Sequence, residues 1–565
     1  MSSPPRRILL LVLLLTTALN LIPLAGEFWL DTYDGETHLF FADHYRRGWW
    51  DAWEEKWMQG FWVYSYPPLV HQLIALTGTI TGLETGYRVV QLATVLAYPA
   101  ALWMLGRELF GAETADHAAM LSALPAGIYL ALYSFGQLPT IAGLVLTLAA
   151  LAMLARYLRA GERGALAAWA ALAGAAFSAH HFTAIFALLP GALAVGVHAA
   201  LRRDAGPRPV GRRLALAGAA GAGAATLAII PFWWWWVTQR GAVAEIPHPT
   251  RLPFLGMPDV RDLFFLRVYG MSLAAVPFAV LWFVRARSRW PLAALTAAWA
   301  LLGLGGNTGA PPVLLRTLWT YLVYDRFSLM AAAFAPLAAA DWIAGAGLRL
   351  RRVALPALLI PAVVISAGAA MAVRNSGLLP PLQPWERSEM RRFLEAENHA
   401  DWYYLTLGLG DNEFQHLSRI TSARTIDGYY TTARIRRELR ESGISSLDAA
   451  MYFPGGRAAV RSVLERPAAW SVKWALVRDA RFDPLLAEAG WRKAYPLGSD
   501  ASWRPGDPVH SAVAVWYFPG AVPVISERAP NVPPALPVLW GLLPLAFLAA
   551  GVGLLMAVER LPHRA

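Results

Sequence analysis

Run after run of apolar residues in this chain is long enough to cross a bilayer, and that limits the fold more than any other feature. A spanning helix needs roughly 17–25 mostly apolar residues. Residues 8–25 form the first such run. Further runs occupy roughly 67–82, 88–106, 116–134, 138–158, 164–179, 181–200, 214–237, 268–284, 290–306, 326–346, 353–373 and 536–557. Composition agrees: 56% of the 565 residues are hydrophobic, 15% are charged, and the mean hydropathy is +0.40. Soluble domains carry about 25% charged residues. A soluble enzyme, a disordered chain and a disulfide scaffold are thereby excluded. Cysteine is absent, which removes thiolate metal sites, thiol nucleophiles and disulfides. The first run follows Arg6 and Arg7 as a signal peptide would, but the many later runs favour a retained helix.

The net charge of +11, with pI near 9.9, would suit an acidic partner such as nucleic acid. Its placement argues otherwise. Residues 156–163, 202–213, 285–289 and 349–352, with Arg6, Arg7 and the tail after Glu559, hold eighteen arginines against Glu162, Asp204 and Glu559. That is +15, so the rest of the chain is net −4. Short Arg-rich connections face the cytoplasm, and the charge reads as a topology signal with no nucleic-acid partner. Both termini are then cytoplasmic in a plasma-membrane protein, and 27–66, the turn at His180 and His181, 238–266, 306–312 and 374–534 lie outside. Counting from both ends leaves one crossing too many near residue 82. The run 67–82 begins Pro67-Pro68 and is read as entering the membrane without fully crossing, which leaves about 12–13 transmembrane helices. The Trp233-Trp234-Trp235-Trp236 run falls at an outer helix end, where indoles anchor among headgroups.

Three regions follow. Residues 1–373 form a transmembrane domain, 374–534 a polar extracytoplasmic mixed α/β domain, and 535–565 a last helix with a cytoplasmic tail. In the exported domain, 402–408, 472–477 and 513–518 read as strands from β-branched and aromatic content. Residues 385–397, 432–442 and 457–466 read as helices.

The first outer loop, 27–66, carries the strongest chemical signal. It reads Asp31-Thr-Tyr-Asp34-Gly-Glu36-Thr-His38, continues through Asp43-His44-Tyr45-Arg46-Arg47-Gly48, and closes on Tyr64-Ser-Tyr66-Pro67-Pro68-Leu69. Three carboxylates within six residues at a membrane edge are costly without a partner or a task. A solvated acidic loop that helps to set topology is the competing reading.

An acid after the first helix, a His four residues on, a Gly after a basic pair and a Tyr-Pro-Pro-Leu lead into the next helix together resemble the GT-C superfamily of membrane glycosyltransferases. The closest likeness is to a bacterial and archaeal membrane family that carries a 6-pyruvoyl-tetrahydropterin-synthase-related label. The resemblance is best over the first hundred residues and extends more loosely to Gln137-Leu-Pro139-Thr140, Ser178-Ala-His180-His181-Phe182-Thr183 and Arg326-Phe327. It implies transfer of a sugar from a polyprenyl-phosphate donor to a lipid- or protein-linked glycan acceptor at the outer face, among membrane lipids. By that likeness an acid of the first outer loop is the base. Asp34 matches best, with Asp31 and Glu36 as neighbours that could replace it. Gly35 separates Asp34 from Glu36 where several branches have adjacent acids. Trp49-Trp50-Asp51 sits in the wrong place for an acceptor signature, so protein N-glycosylation is disfavoured.

Attack by an acceptor hydroxyl needs a base near the oxygen, and partial burial raises a carboxyl pKa toward that role. The lipid-phosphate leaving group calls for arginine. Arg326 is the first candidate and Arg267 the second, each otherwise free to snorkel to headgroups. His38, Tyr66, His180 and His181 are candidate substrate contacts. Adjacent residues on a helix do not share a face, so His180 and His181 make a poor bidentate metal site. A divalent cation such as Mg or Mn on the carboxylates is possible chemistry and is left unassigned. The rival readings are a non-enzymatic membrane assembly or polysaccharide-export component that keeps the GT-C fold, and a transporter.

Overall fold

The computed structural model describes residues 5–26, 32–122, 126–202, 207–239, 241, 244–266, 282, 287–345, 360, 382, 384–497, 513–524 and 531–560. Most of them are helical. Backbone groups have no water to bond in hydrocarbon, so apolar runs close their hydrogen bonds within helices. Six described helices are long and apolar enough to cross a membrane. They are α1 (Pro5–Ala25), α4 (Leu83–Phe110), α6 (Leu138–Ala160), a helix over His181–Leu201 that includes α8 (Leu189–Leu201), α12 (Asp325–Ala344) and the last helix, α16 (Ala535–Arg560). A seventh span arises if α9 (Pro207–Ala228) and α10 (Ile230–Thr238), bent 69° apart, count as one. The expected spans 268–284 and 353–373 lie almost wholly outside the described residues.

The short run 67–82 forms α3 (Leu69–Thr81). Thirteen residues at 1.5 Å each cover about 20 Å, too little for a core about 30 Å thick. At Gly82 the chain reverses into α4. The two helices pack so closely that a Cβ on Gly86 would lie 2.7 Å from the Ile74 carbonyl oxygen and 2.7 Å from Gly78 N. Residues 116–134 are interrupted: α5 (Ala112–Leu121) ends early, and a wide helical turn, Ala131–Phe135, precedes α6. Residues 164–179 fall in α7 (Arg163–Ala179), and 290–306 begin with α11 (Trp290–Gly303).

Charged helix ends gather at one end of the bundle. Arg107 near the end of α4 pairs with Glu559 of α16 and with Glu108 at 3.0 Å. Arg159 of α6 also pairs with Glu108, and Arg156 reaches Glu162 at 2.8 Å. Arg213 caps the end of α6 by donating to the Leu158 and Arg159 carbonyls. Cations suit a helix C-terminus, where carbonyls are unpaired. The arginines that looked like topology markers are thus also fasteners between helices.

The domain after the described transmembrane bundle is α/β, as expected. Its four-stranded sheet has the order β3 (Tyr403–Leu407), β4 (Val472–Val477), β6 (Ala514–Tyr517), β5 (Arg492–Pro496). β3 and β4 are parallel; β4 with β6 and β5 with β6 are antiparallel. Helices α13 (Pro384–Glu395), α14 (Asp411–Ile420) and α15 (Gly456–Leu464) accompany it. The expected helix over 432–442 contracts to Arg437–Arg440, and β5 was not anticipated.

This domain is docked on the loop between α1 and α3. That loop folds as α2 (Gly35–Arg47) followed by a two-residue hairpin, β1 (Trp53–Glu54) with β2 (Phe61–Trp62). Backbone bonds cross the seam: Thr425 N donates to the Lys56 carbonyl at 2.8 Å, and Met58 N to that of Asp427 at 3.2 Å. Trp57 Nε1 donates to Ser418 Oγ at 2.7 Å, and the Tyr430 hydroxyl to the Ser65 carbonyl at 2.7 Å. Asp427 to Tyr430 are therefore part of the seam. The Trp233–Trp236 run touches the same loop, with Trp234 edge-on to Trp62 at 5.6 Å.

Candidate active site

Asp34 caps the N-terminus of α2 without spending its side chain on the cap. Its backbone N donates to the Phe135 carbonyl at 3.1 Å, so the turn before α6 lies across the start of α2. Gly136 makes that approach possible. It has φ +70, and a Cβ there would lie 2.6 Å from Thr32 Oγ1 and 2.8 Å from Gly35 N. Burial pushes the Asp34 carboxyl up to about 6; the Arg326 charge pulls it down and the Asp325 charge adds to the rise. The result is a carboxylate poised near neutrality on a half-buried side chain that, among the described residues, has no hydrogen-bond partner.

Glu36, two residues on, has a different fate. Arg419 Nε donates to Oε2 at 2.9 Å, Arg419 Nη2 to Oε1 at 3.2 Å, and His416 Nδ1 contacts Oε1 at 3.0 Å. Burial alone would raise its pKa, but Arg419 and His416 override it and hold the carboxyl at about 2. So weak a base, already held by three contacts, is a poor substitute for Asp34. The expectation that it could replace Asp34 is revised: Glu36 ties α2 to α14. Asp31 and Arg267 lie outside the described residues.

His38 follows Asp34 by one helical turn and is fully enclosed. Its Nε2 donates to the Gly136 carbonyl at 2.9 Å, which leaves Nδ1 to accept from His71 Nε2 at 3.0 Å. Burial drives its pKa down to about 3, with the Gly136 carbonyl opposing and the Arg326 charge assisting. A neutral imidazole with both nitrogens occupied supports the site from beneath; it is not open to a substrate. Tyr66 packs against His71 at 5.2 Å and stacks on Phe41 at 5.2 Å. Burial, with the nearby Asp34 charge, keeps its phenol protonated.

Arg326 opens α12. Its guanidinium lies 5.3 Å over the Phe182 ring, which brings the 180–183 segment beside it. Its Nε is buried without a hydrogen-bond partner. His180 spends Nδ1 on Thr183, at 2.8 Å from Oγ1, and caps the helix that follows. His181 turns to Phe232 of α10, ring to ring at 4.2 Å. The two imidazoles therefore diverge. Two residues join the site that the first-loop motif did not assign: Gln137, whose Nε2 donates to Asp325 Oδ2 at 2.9 Å, and His71. The Gln-Leu-Pro-Thr segment drew attention to Gln137, but nothing local to it names a partner 188 residues away.

The acid pairs farther along the loop are structural. Arg46 and Arg47 both hold Asp43, and Arg47 with His44 holds Glu54. Among the described residues, no group of three or more His, Asp or Glu side chains converges to hold a metal.

No protein-family model and no curated protein matches the chain in sequence. Solved structures match it in shape. The mycobacterial arabinofuranosyltransferase AftD superposes with a TM-score of 0.54 at 15% identity, over 91% of this chain and 40% of AftD. ArnT from Cupriavidus metallidurans, solved with undecaprenyl phosphate, gives 0.52 at 14% identity, over 89% of this chain and 97% of ArnT. The oligosaccharyltransferase of Archaeoglobus fulgidus, tethered to an acceptor peptide, gives 0.51 at 13% identity, over 88% and 74%. The fold is that of GT-C glycosyltransferases. The chain spans about two fifths of AftD and nearly all of ArnT. At such identities the likeness is one of fold, so the chemistry has to be argued from the side chains.

Proposed function

We propose that the protein is a glycosyltransferase that moves a sugar from a polyprenyl-phosphate donor to a glycan acceptor at the outer membrane face. Within GT-C proteins we place it nearest the pterin-labelled membrane family, whose label names no chemistry present in this chain. The observation that carries the reading is the pairing of Asp34, a carboxylate raised to about 6, with Arg326, which among the described residues is in no ion pair and whose buried Nε has no partner there. Asp34 accepts the proton of the acceptor hydroxyl as its oxygen attacks the anomeric carbon. The bond from that carbon to the phosphate oxygen breaks. Arg326 then holds the departing lipid phosphate through its forked donors. The arginine-rich end of the bundle faces the cytoplasm in this reading, with both termini, and the docked α/β domain faces outward. The shared fold with a protein solved holding undecaprenyl phosphate supports the donor class.

The test is Asp34→Asn. Transfer to acceptor should drop by about 10²–10⁴-fold, the range of a lost general base, while expression and thermal unfolding hold. Transfer by that variant at the wild-type rate removes Asp34 from the mechanism.

A further inference from the structure

Neighbouring opposite charges meet elsewhere in this protein. Arg107 donates to Glu108 at 3.0 Å, and Arg261 to Asp262 at 3.0 Å. Asp325 and Arg326 do not, although each has capacity to spare. Asp325 is 3% exposed, and its Oδ1 is buried without a hydrogen-bond partner. Arg326 Nε is buried and unpartnered as well. Such an arrangement is costly, because a buried charge is stabilised chiefly by a partner. What holds the carboxylate back is Gln137, whose Nε2 donates to Oδ2 at 2.9 Å.

We propose that Gln137 is a positioning residue that keeps Asp325 off Arg326, leaving that guanidinium free to take the phosphate of a polyprenyl lipid. The proposal rests on the reading of Arg326 as the phosphate anchor. Gln137 is well mounted for the task. Its own N donates to the Ala131 carbonyl at 3.2 Å, and it directly precedes α6, which has Pro139 in its first turn. Behind it, Gly136 is wedged against Thr32 and Gly35, and its carbonyl is held by His38. The side chain is 7% exposed, so water does not readily replace it. A neutral amide is the chemistry required. It satisfies one carboxylate oxygen without adding a cation that would compete for the phosphate or an anion that would repel it.

The experiment uses the full chain in detergent micelles with undecaprenyl phosphate as the probe, read by thermophoresis. Gln137→Met keeps length and volume but removes the donor. Asp325 then swings to Arg326, and the Kd rises about tenfold or more, the worth of a hydrogen bond to a charged group. The double variant Gln137→Met/Asp325→Asn should recover most of the affinity, because an amide cannot quench the guanidinium. A merely structural defect would not be repaired by a second change. If Gln137→Met unfolds at a lower temperature than wild type, Gln137→Leu serves with the same expectations. Wild-type affinity in the Gln137 variants, with affinity lost in Arg326→Ala, overturns the proposal alone. So does a double variant no better than the single. Undiminished binding by Arg326→Ala sinks the phosphate reading, and this proposal with it.

Discussion

Asp34 and Glu36 are two residues apart, yet their carboxyls end near 6 and near 2. Burial acts on both; only Glu36 has cations in contact. For Asp34 the sign follows directly. A base must be deprotonated, so transfer should rise with pH through about 6 and level off above it. A pH–rate profile of kcat/KM checks this, and a profile flat from pH 5 to 8 would count against Asp34. The same raised pKa means that the ionised carboxylate costs the fold stability above about pH 6. Asp34→Asn should therefore unfold at an equal or higher temperature at pH 7.5 while losing transfer. The candidate base was legible in the sequence because an acid and a His one helical turn apart form a local pattern. The role of Glu36 was not legible, since its partners stand about 380 residues on. His38 was legible as important but not as occupied, because the His71 and Gly136 partners come from other elements.

Between elements, the short contacts at α2 set the geometry. Gly136 has no room for a side chain, and its φ of +70 disfavours one in any case. Gly136→Ala should cost about 1–3 kcal/mol and slow transfer, as measured by thermal unfolding and initial rates. An unchanged rate would mean that the turn does not support Asp34. The Glu36 link to Arg419 is the other contact. A depressed folded pKa contributes stability that is fully present above pH 4.5 and is lost as pH falls toward 2. Arg419→Ala takes the guanidinium from buried Glu36 and leaves it His416 alone, which costs up to about 3–5 kcal/mol. Faster proteolysis of the α/β domain should report it; protection equal to wild type would show that the seam holds without the pair. The three anticipated strands formed because β-branched and aromatic residues crowd them. β5 escaped notice because its exposed Arg492 and Lys493 read as surface. The helix expected over 432–442 shortened where Arg434 turns inward to donate to the Leu439, Ile444 and Ser445 carbonyls.

For the whole molecule, the proposed sidedness rests on charge along the chain, which can be read before any contact is known. The arginines of α4, α6 and α9 meet at one end, and Asp34, Arg326 and the α/β domain at the other. A chain without cysteine makes this testable. In intact cells an impermeant maleimide should label Tyr452→Cys, a residue 61% exposed, and not Arg212→Cys until the membrane is opened. Labelling of both, or the reverse order, would invert the proposed orientation. The last helix gives this architecture a temporal side. Trp49 Nε1 donates to the Gly541 carbonyl at 3.3 Å, Gln72 Nε2 to that of Trp540 at 2.8 Å, and Trp540 Nε1 to the Tyr45 hydroxyl at 2.8 Å. Loop and helix are 492 residues apart. At about 5–20 residues per second of synthesis, the first loop leaves the ribosome roughly half a minute or more before the helix that closes over it. Nascent chains should therefore wait with that loop open to proteases or chaperones, and stop codons near residue 535 should harm the beginning of the protein more than its end.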